Sequence, residues 1–282
     1  MPERIRKGRR KSFFLRVLFI FLGLAALLVG LSFASRIPAA LVKETTVVGN
    51  EVVSSDDVVR VVEGELSGRY LRLFSKRNVF LLRKSRITAL IKKDFPRFED
   101  ASLSIIDTNH LVVRVLERKG RYLWCEGAYP IAPDTAPLSC FFVDDRGYIF
   151  SEAPYFSGNA YLKLYGGIKE DGDMVGKNIL SEAAFKNILN AYNGLKAIGL
   201  SPEVISISPP AIFEAYLEHS IDSQSSRAKI IFSLYGSSED AVANISAALH
   251  AEDFKNSYKA HPEKLEYIDT RYEKKVYYKF TK

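Results

Sequence analysis

The chain of 282 residues carries 40 Lys/Arg against 33 Asp/Glu, with only two cysteines and four histidines. That length accommodates one large or two ordinary folded domains. The formal charge of +7 is unevenly held: residues 1–16 contain seven Lys/Arg and one Glu, which leaves 33 Lys/Arg against 32 Asp/Glu in the rest, so the bulk of the chain lacks the clustered basic face that a nucleic-acid-binding surface requires.

Residues 1–12, MPERIRKGRRKS, form a basic tail with six Lys/Arg and one Glu. Residues 13–34, FFLRVLFIFLGLAALLVGLSFA, follow. From Val17 to Ala34 there is no charged residue, Asn, Gln, His or Pro, and twelve positions are Leu, Ile, Phe or Val. As a helix this run spans about 27 Å, roughly the hydrocarbon core of a bilayer. The twelve large apolar residues favour insertion by about 5 kcal/mol. Arg16 lies at the edge, where its stem can carry the charge to the headgroups. A soluble core helix of this length would keep a polar stripe. A cleaved signal peptide is the rival reading, since Ser32-Phe33-Ala34 offers small residues at cleavage-reading positions, but the apolar run exceeds the usual signal core. The sequence therefore predicts an uncleaved transmembrane helix over 13–34. The positive-inside rule puts its basic tail in the cytoplasm, touching anionic lipid, and the remainder outside.

Residues 35–42 are a linker in which Pro38 interrupts the helix. Residues 43–118 read as a small α+β domain. Lys43–Val48 is β-branched and predicts a strand, which Gly49-Asn50 ends. Ser54 with Asp57 reads as a capping-box-like start to a helix whose apolar stripe is Val58, Val59, Val62 and Leu66. Gly68–Leu82 is less regular. A second helix over 83–95 carries Ile87, Leu90, Ile91 and Phe95 at helical spacing, and Pro96 stops it. Ala101–Ile106 and Leu111–Leu116 flank the turn Asp107–His110, with Val113, Val115 and Ile105 on a buried face and Arg114 opposite. The helices separate the first strand from this hairpin, so it must pair non-locally. The expected result is a three-stranded sheet with two helices on one face.

Val48-x-Asn50 after a strand, Phe95-Pro96-x-Phe98-x-x-Ala101-x-Leu103 and Thr108-Asn109-His110-Leu111-x-Val113-x-Val115-x-Glu117-Arg118 together resemble the polypeptide-transport-associated (POTRA) domain of the bacterial division protein family FtsQ/DivIB. Thr108 stands where that family usually has Pro, and Lys119-Gly120 is atypical.

Residues 119–282 read as a second domain with a mixed, mainly antiparallel sheet and helices. Tyr122–Cys125 and Cys140–Val143 flank the loop Glu126–Ser139. An extracytoplasmic location permits a disulfide between Cys125 and Cys140; two unpaired buried thiols are the alternative. Phe141–Phe150 forms two strand ends across a tight turn, and Val143-Asp144-x-x-Gly147 is similar to a hairpin motif of the same family. Ala160–Leu164 is a further strand. Ser181 caps a helix to about Ile198, with Gly199 as its C-cap. Strands follow at Val204–Ser208, Ile212–Leu217 and Ala228–Leu234, with Ser223–Ser226 as a loop tip. Ser237 or Ser238 begins a helix to about His250, and Glu252–Glu263 is a polar segment. Tyr267-Ile268-Asp269-Thr270-Arg271, followed by Val276–Phe280, resembles the family's Y-I-D-L-R segment and its following strand, with Thr270 in place of Leu.

No arrangement predicts catalysis, a cofactor or a metal. His110, His219, His250 and His261 have no ligand-like spacing, and no nucleophile elbow, zincin or phosphate-loop motif occurs. Asp144-Asp145 before Arg146-Gly147 is explained by a tight turn. Asp269 and Arg271, two apart, read as a local ion pair. What remains is backbone. Tyr272, Val276, Tyr277, Tyr278 and Phe280 are strand formers, and a strand at a sheet edge accepts another chain's strand. Lys274, Lys275 and Lys279 would prevent promiscuous pairing while selecting acidic partners.

The resemblance implies a non-catalytic, single-pass scaffold of the division septum in the cytoplasmic membrane. It implies FtsB-like and FtsL-like membrane partners, held through Tyr272, Glu273, Lys274, Val276, Tyr277 and Tyr278, with no nucleic acid and no small-molecule substrate. A sheet edge of the POTRA-like domain is a second docking candidate. The alternatives are a POTRA-bearing export component, which normally continues into a β-barrel or repeats the domain, and a membrane-anchored envelope hydrolase.

Overall fold

The computed structural model describes residues 3–129, 139–154, 156, 160–168, 172–208, 211–217, 228–261, 264–272 and 275–281, with side chains from Phe13 onward. The chain divides into two compact units, Met1–Glu117 and Arg118–Lys282.

The first unit begins with α1 (Glu3–Ala34). Its segment Phe13–Ala34 is 22 residues long, enough by length and composition to cross a membrane. Its side chains are exposed along nearly the whole segment, which a core helix of a soluble protein would not show. After a short turn at Pro38–Ala40 comes β1 (Glu44–Val48). Gly49 ends β1 at φ +91°, and a Cβ there would run into the Val115 carbonyl, so only glycine fits.

Helix α2 (Ser55–Leu66) buries Val58, Val62 and Leu66. Ser54 stands at its N-cap, yet its side chain makes no capping bond. Asn50 organises the entry instead, donating to the Val53 carbonyl at 2.8 Å and to Ser55 Oγ at 3.0 Å. Asp57 turns outward to Arg60 at 3.1 Å. The stretch expected to be irregular contains a two-stranded hairpin, β2 (Arg69–Tyr70) and β3 (Phe74–Ser75). Strands of two residues leave no periodicity to read, and the turn uses Leu71 and Arg72 at φ +51° and +62° where glycine or asparagine would be the usual signal. Helix α3 (Lys84–Asp94) buries Ile87 and Ile91 and stops before Pro96.

Strand β4 (Phe98–Ile106) starts three residues earlier than the alternation suggested, because a bulge between Phe98 and Asp100 breaks the period. Strand β5 (His110–Glu117) follows. The sheet order is β1-β5-β4, with β1 parallel and β4 antiparallel to β5. Leu111, Val113 and Val115, spaced by two, face the core with Val58, Val62, Ile87 and Ile91 of the helices. The end of β5 is tied down by Glu117, whose Oε1 accepts the N–H groups of Glu51, Val52 and Val53 at 2.7–3.0 Å.

The second unit contains β6 (Tyr122–Cys125), β7 (Cys140–Val143), β8 (Ile149–Ala153), β9 (Leu162–Gly166), α4 (Glu182–Ala197), β10 (Pro202–Ser208), β11 (Ile212–Leu217), β12 (Lys229–Ser233), α5 (Ser238–His250), α6 (Glu252–Ala260), β13 (Leu265–Asp269) and β14 (Tyr277–Phe280). They build one nine-stranded sheet in the order β14-β13-β12-β11-β10-β9-β6-β7-β8. Three neighbours pair in parallel (β6–β9, β9–β10, β12–β13), and the other pairings are antiparallel. Parallel neighbours need crossovers: α4 bridges β9 to β10, and α5 with α6 bridges β12 to β13.

Alternation sorts the sheet's faces. Trp124, Leu164, Ile205 and Ala215 belong to the large core that includes α4, α5 and Phe254 of α6. Their neighbours Leu123, Cys125, Tyr165, Val204 and Tyr216 form a separate cluster on the other face. Ser181 and Ser237 cap α4 and α5 by accepting the N–H of Ala184 and Asp240. Gly199 closes α4 at φ +85°. Cys125 and Cys140 are joined by a disulfide between the end of β6 and the start of β7. Asp144 is buried in the β7–β8 turn, where it accepts the N–H groups of Arg146 and Tyr148 at 2.9 and 3.0 Å and the guanidinium of Arg118. The turn thus accounts for that carboxylate.

The segment expected to be polar is α6. Phe254 and Tyr258, one turn apart and stacked at 5.6 Å, supply its inward contact. The intervening Lys, Asn and Ser hide that signal in the sequence. Most of the Glu126–Ser139 loop and the Ser223–Ser226 tip lie outside the described residues.

Candidate partner-binding edge

Strand β14 is one end of the nine-stranded sheet, and β8 is the other. Among the described residues β14 pairs with β13 alone, placing Tyr277 opposite Asp269, Tyr278 opposite Ile268 and Lys279 opposite Tyr267. Just beyond it, the Thr281 N–H donates to the Lys264 carbonyl at 2.8 Å. By the two-residue period Lys279 and Tyr277 turn their backbone groups the same way, toward β13. Tyr278 and Phe280 therefore turn theirs outward, leaving about two donors and two acceptors for another strand.

The two side-chain faces of the edge differ. Tyr278 and Phe280 lie over Phe254 of α6, with ring centroids 4.7 and 5.6 Å away. Phe254 itself is 1% exposed and fixes the edge from beneath. On the opposite face Tyr277 meets Tyr272 edge-on at 5.3 Å, and Lys279 pairs with Glu266 at 2.6 Å. Tyr277 stays 49% exposed and Tyr278 40%.

The link from β13 to β14 is held by charge. Asp269 is buried and grips Arg271 through Nε at 2.9 Å and Nη2 at 2.6 Å, while also accepting the Arg271 N–H at 3.1 Å. Burial pushes the Asp269 pKa up, but the Arg271 hydrogen bonds and charge outweigh it, so the carboxyl sits below its ordinary value. Thr270 donates its hydroxyl to the Ile231 carbonyl at 2.9 Å. Its polar side chain is thereby satisfied at a half-buried position. A groove of about 750 Å³ runs beside this link, lined in part by Tyr235, Asp240, Asn244, Arg271 and Tyr272.

The residues expected to bind a partner divide accordingly. Tyr272 and Tyr277 meet on one face of the exposed edge, and Tyr278 lies exposed on the other, over Phe254. Val276 precedes β14 and packs half-buried against the core. Glu273 and Lys274 lie outside the described residues. Phe254 went unread in the sequence, although its spacing from Tyr258 was the available signal. Elsewhere, His110 shares a 2.6 Å hydrogen bond with Thr46 and His250 one of 2.7 Å with the Ser246 carbonyl. His219 lies outside the described residues. Among the described residues no group of three or more His, Cys, Asp or Glu is arranged to hold a metal ion.

Comparison with known proteins finds no matching family model and no matching curated sequence.

Proposed function

We propose that this chain is a single-pass, non-catalytic membrane scaffold of the bacterial division machinery, of the FtsQ/DivIB type. In this reading α1 anchors it in the cytoplasmic membrane with the basic tail inside. The first unit is a POTRA-like module, and the second holds an FtsB-like partner, paired with an FtsL-like one, at the septum. The observation that carries the reading is the position of β14 at the end of the nine-stranded sheet, with outward backbone groups and exposed Tyr277 and Tyr278. A partner strand laid there would gain main-chain hydrogen bonds, and the groove beside Arg271 and Tyr272 would take a side chain from it. The strand order β1-β5-β4 with α2 and α3 supports the POTRA-like part.

The test is co-purification of the full chain with the FtsB-like protein of the same cell. Tyr272→Lys and Tyr277→Lys alter exposed side chains and leave the core intact. Both are expected to reduce capture, and undiminished capture by both would refute the edge reading. Peptidoglycan hydrolysis by the purified chain, abolished by a single Asp or His substitution, would favour the envelope-hydrolase alternative instead.

A further inference from the structure

The end of α1 and the two residues after it are bonded to the β2–β3 hairpin and to Asn78 just beyond it. Ser32 Oγ donates to the Leu73 carbonyl at 2.7 Å, and Arg36 Nη2 donates to the same oxygen at 3.1 Å. The Ser75 N–H donates to Ser35 Oγ at 3.3 Å, and Asn78 Nδ2 to the Ser35 carbonyl at 3.0 Å. Ser32 and Ser35 are buried by these contacts. The apolar segment Phe13–Ala34 has 22 residues, or ~33 Å as a helix against a hydrocarbon core of about 30 Å. If it spans, Ser32–Arg36 lies at the boundary of that core. The hairpin is then held in the headgroup layer, whichever way the helix points.

The hairpin is built unusually for a surface facing water. Leu71 is 85% exposed at its tip, and Phe80, which follows the Asn78 bonded to Ser35, is 87% exposed. Each is two residues from a position hydrogen-bonded to Ser32 of α1 or to Ser35 just after it, a reach of about 7 Å, within the thickness of one headgroup layer. Leu71 and Arg72 hold positive φ without glycine, a backbone outlier of the kind that marks sites under functional demand.

The near-neutral balance of the folded part also conceals a local excess, which corrects the expectation that it has no basic cluster. Residues 68–86 contain seven Lys/Arg and no Asp/Glu. Lys76, Arg77 and Arg86 are paired with Glu65 or Glu63. Arg69 and Arg72 are exposed and make no ion pair among the described residues. Exposed large apolar side chains interleaved with arginines match a bilayer interface, where rings and aliphatic groups enter the acyl boundary and guanidiniums meet lipid phosphates.

We infer that the β2–β3 hairpin and Phe80 dock on the lipid headgroup layer at the exit of α1, fixing the first unit against the membrane surface. The inference rests on α1 spanning the bilayer.

The full chain is reconstituted in phosphatidylcholine–phosphatidylglycerol liposomes with an environment-sensitive dye on one added thiol, in three variants: Leu22→Cys, Leu71→Cys and Phe80→Cys. Doxyl-labelled lipids quench by depth, and iodide quenches from water. Docking predicts that the dye at position 22 is quenched by deep doxyl groups, and that the dyes at 71 and 80 are quenched by shallow ones and protected from iodide. Arg69→Glu with Arg72→Glu should reduce that shallow quenching. Deep quenching at 22 with full iodide access at 71 and 80 overturns the docking while leaving the anchor standing, and would mean that a protein or nothing covers the patch. Absence of deep quenching at 22 overturns the anchor and the docking with it.

Discussion

Phe254→Ala should detach the candidate edge from the second unit. Phe254 is 1% exposed; burying a phenyl ring contributes about 1.5–3 kcal/mol by area alone. Its ring stands perpendicular to Tyr278 at 4.7 Å and contacts Phe280 and Tyr258 at 5.6 Å each. Such aromatic pairs add about 0.5–1.5 kcal/mol beyond area, and an unfilled cavity adds more, so the expected loss is about 3–5 kcal/mol. Phe254→Leu should lose no more than about 1.5 kcal/mol. Because α6 and β14 lie at the end of the sheet, the loss should be felt locally first. Hydrogen exchange is the assay: in Phe254→Ala, the amides turned toward β13, those of Tyr277, Lys279 and Thr281, should exchange much faster while those of β10 and β11 change little. Unchanged exchange at Tyr277, Lys279 and Thr281, with a stability loss below about 1 kcal/mol, would refute the support role given to Phe254.

Three further outcomes follow from other sites. Glu117 and Asp269 both hold proton affinities below their ordinary values of 4.5 and 3.8. For Glu117, three backbone N–H groups and Arg97 overcome a burial effect of opposite sign. Lowered carboxyl pKa values give stability that is present above the ordinary values and lost as the pH falls through the folded ones, so pH-dependent unfolding should be flat near neutrality and fall away below about pH 4. Glu117→Gln should lower the stability of the first unit by about 1.5 kcal/mol or more at neutral pH and flatten that acid limb. Cys125→Ser with Cys140→Ser opens a loop of sequence separation 15 and should cost about 3 kcal/mol, read by denaturant unfolding of the second unit. A reporter fused after Lys282 should be active only outside the cytoplasm, and cytoplasmic activity would reverse the orientation.

Much of this architecture was legible because burial writes a period into the sequence. Val58, Val62 and Leu66 announce α2, and Leu111, Val113 and Val115 announce the inner face of β5. Caps carried explicit chemistry at Ser181, Gly199 and Ser237. Three features were hidden for distinct reasons. The bulge at Phe98 breaks strand alternation. The β2–β3 hairpin is too short for a period and turns on Leu71 and Arg72. Helix α6 rests on the single large buried side chain of Phe254, amid polar neighbours. At the candidate edge, Tyr272, Tyr277 and Tyr278 could be named from composition. The spacing of Asp269 and Arg271 also announced their local ion pair, whereas which backbone groups point outward depends on pairing with β13 and is not written in residue type.

The central claim is that another chain's strand bonds to β14 through its outward backbone groups. An amide-to-ester exchange at Tyr278, introduced by nonsense suppression with the hydroxy-acid analogue of tyrosine, deletes one outward N–H and keeps the ring. One lost hydrogen bond of about 0.5–1.5 kcal/mol should weaken binding of the FtsB-like partner roughly two- to twelvefold, with the stability of the second unit unchanged. Wild-type affinity in the Tyr278 ester would contradict strand addition at this edge.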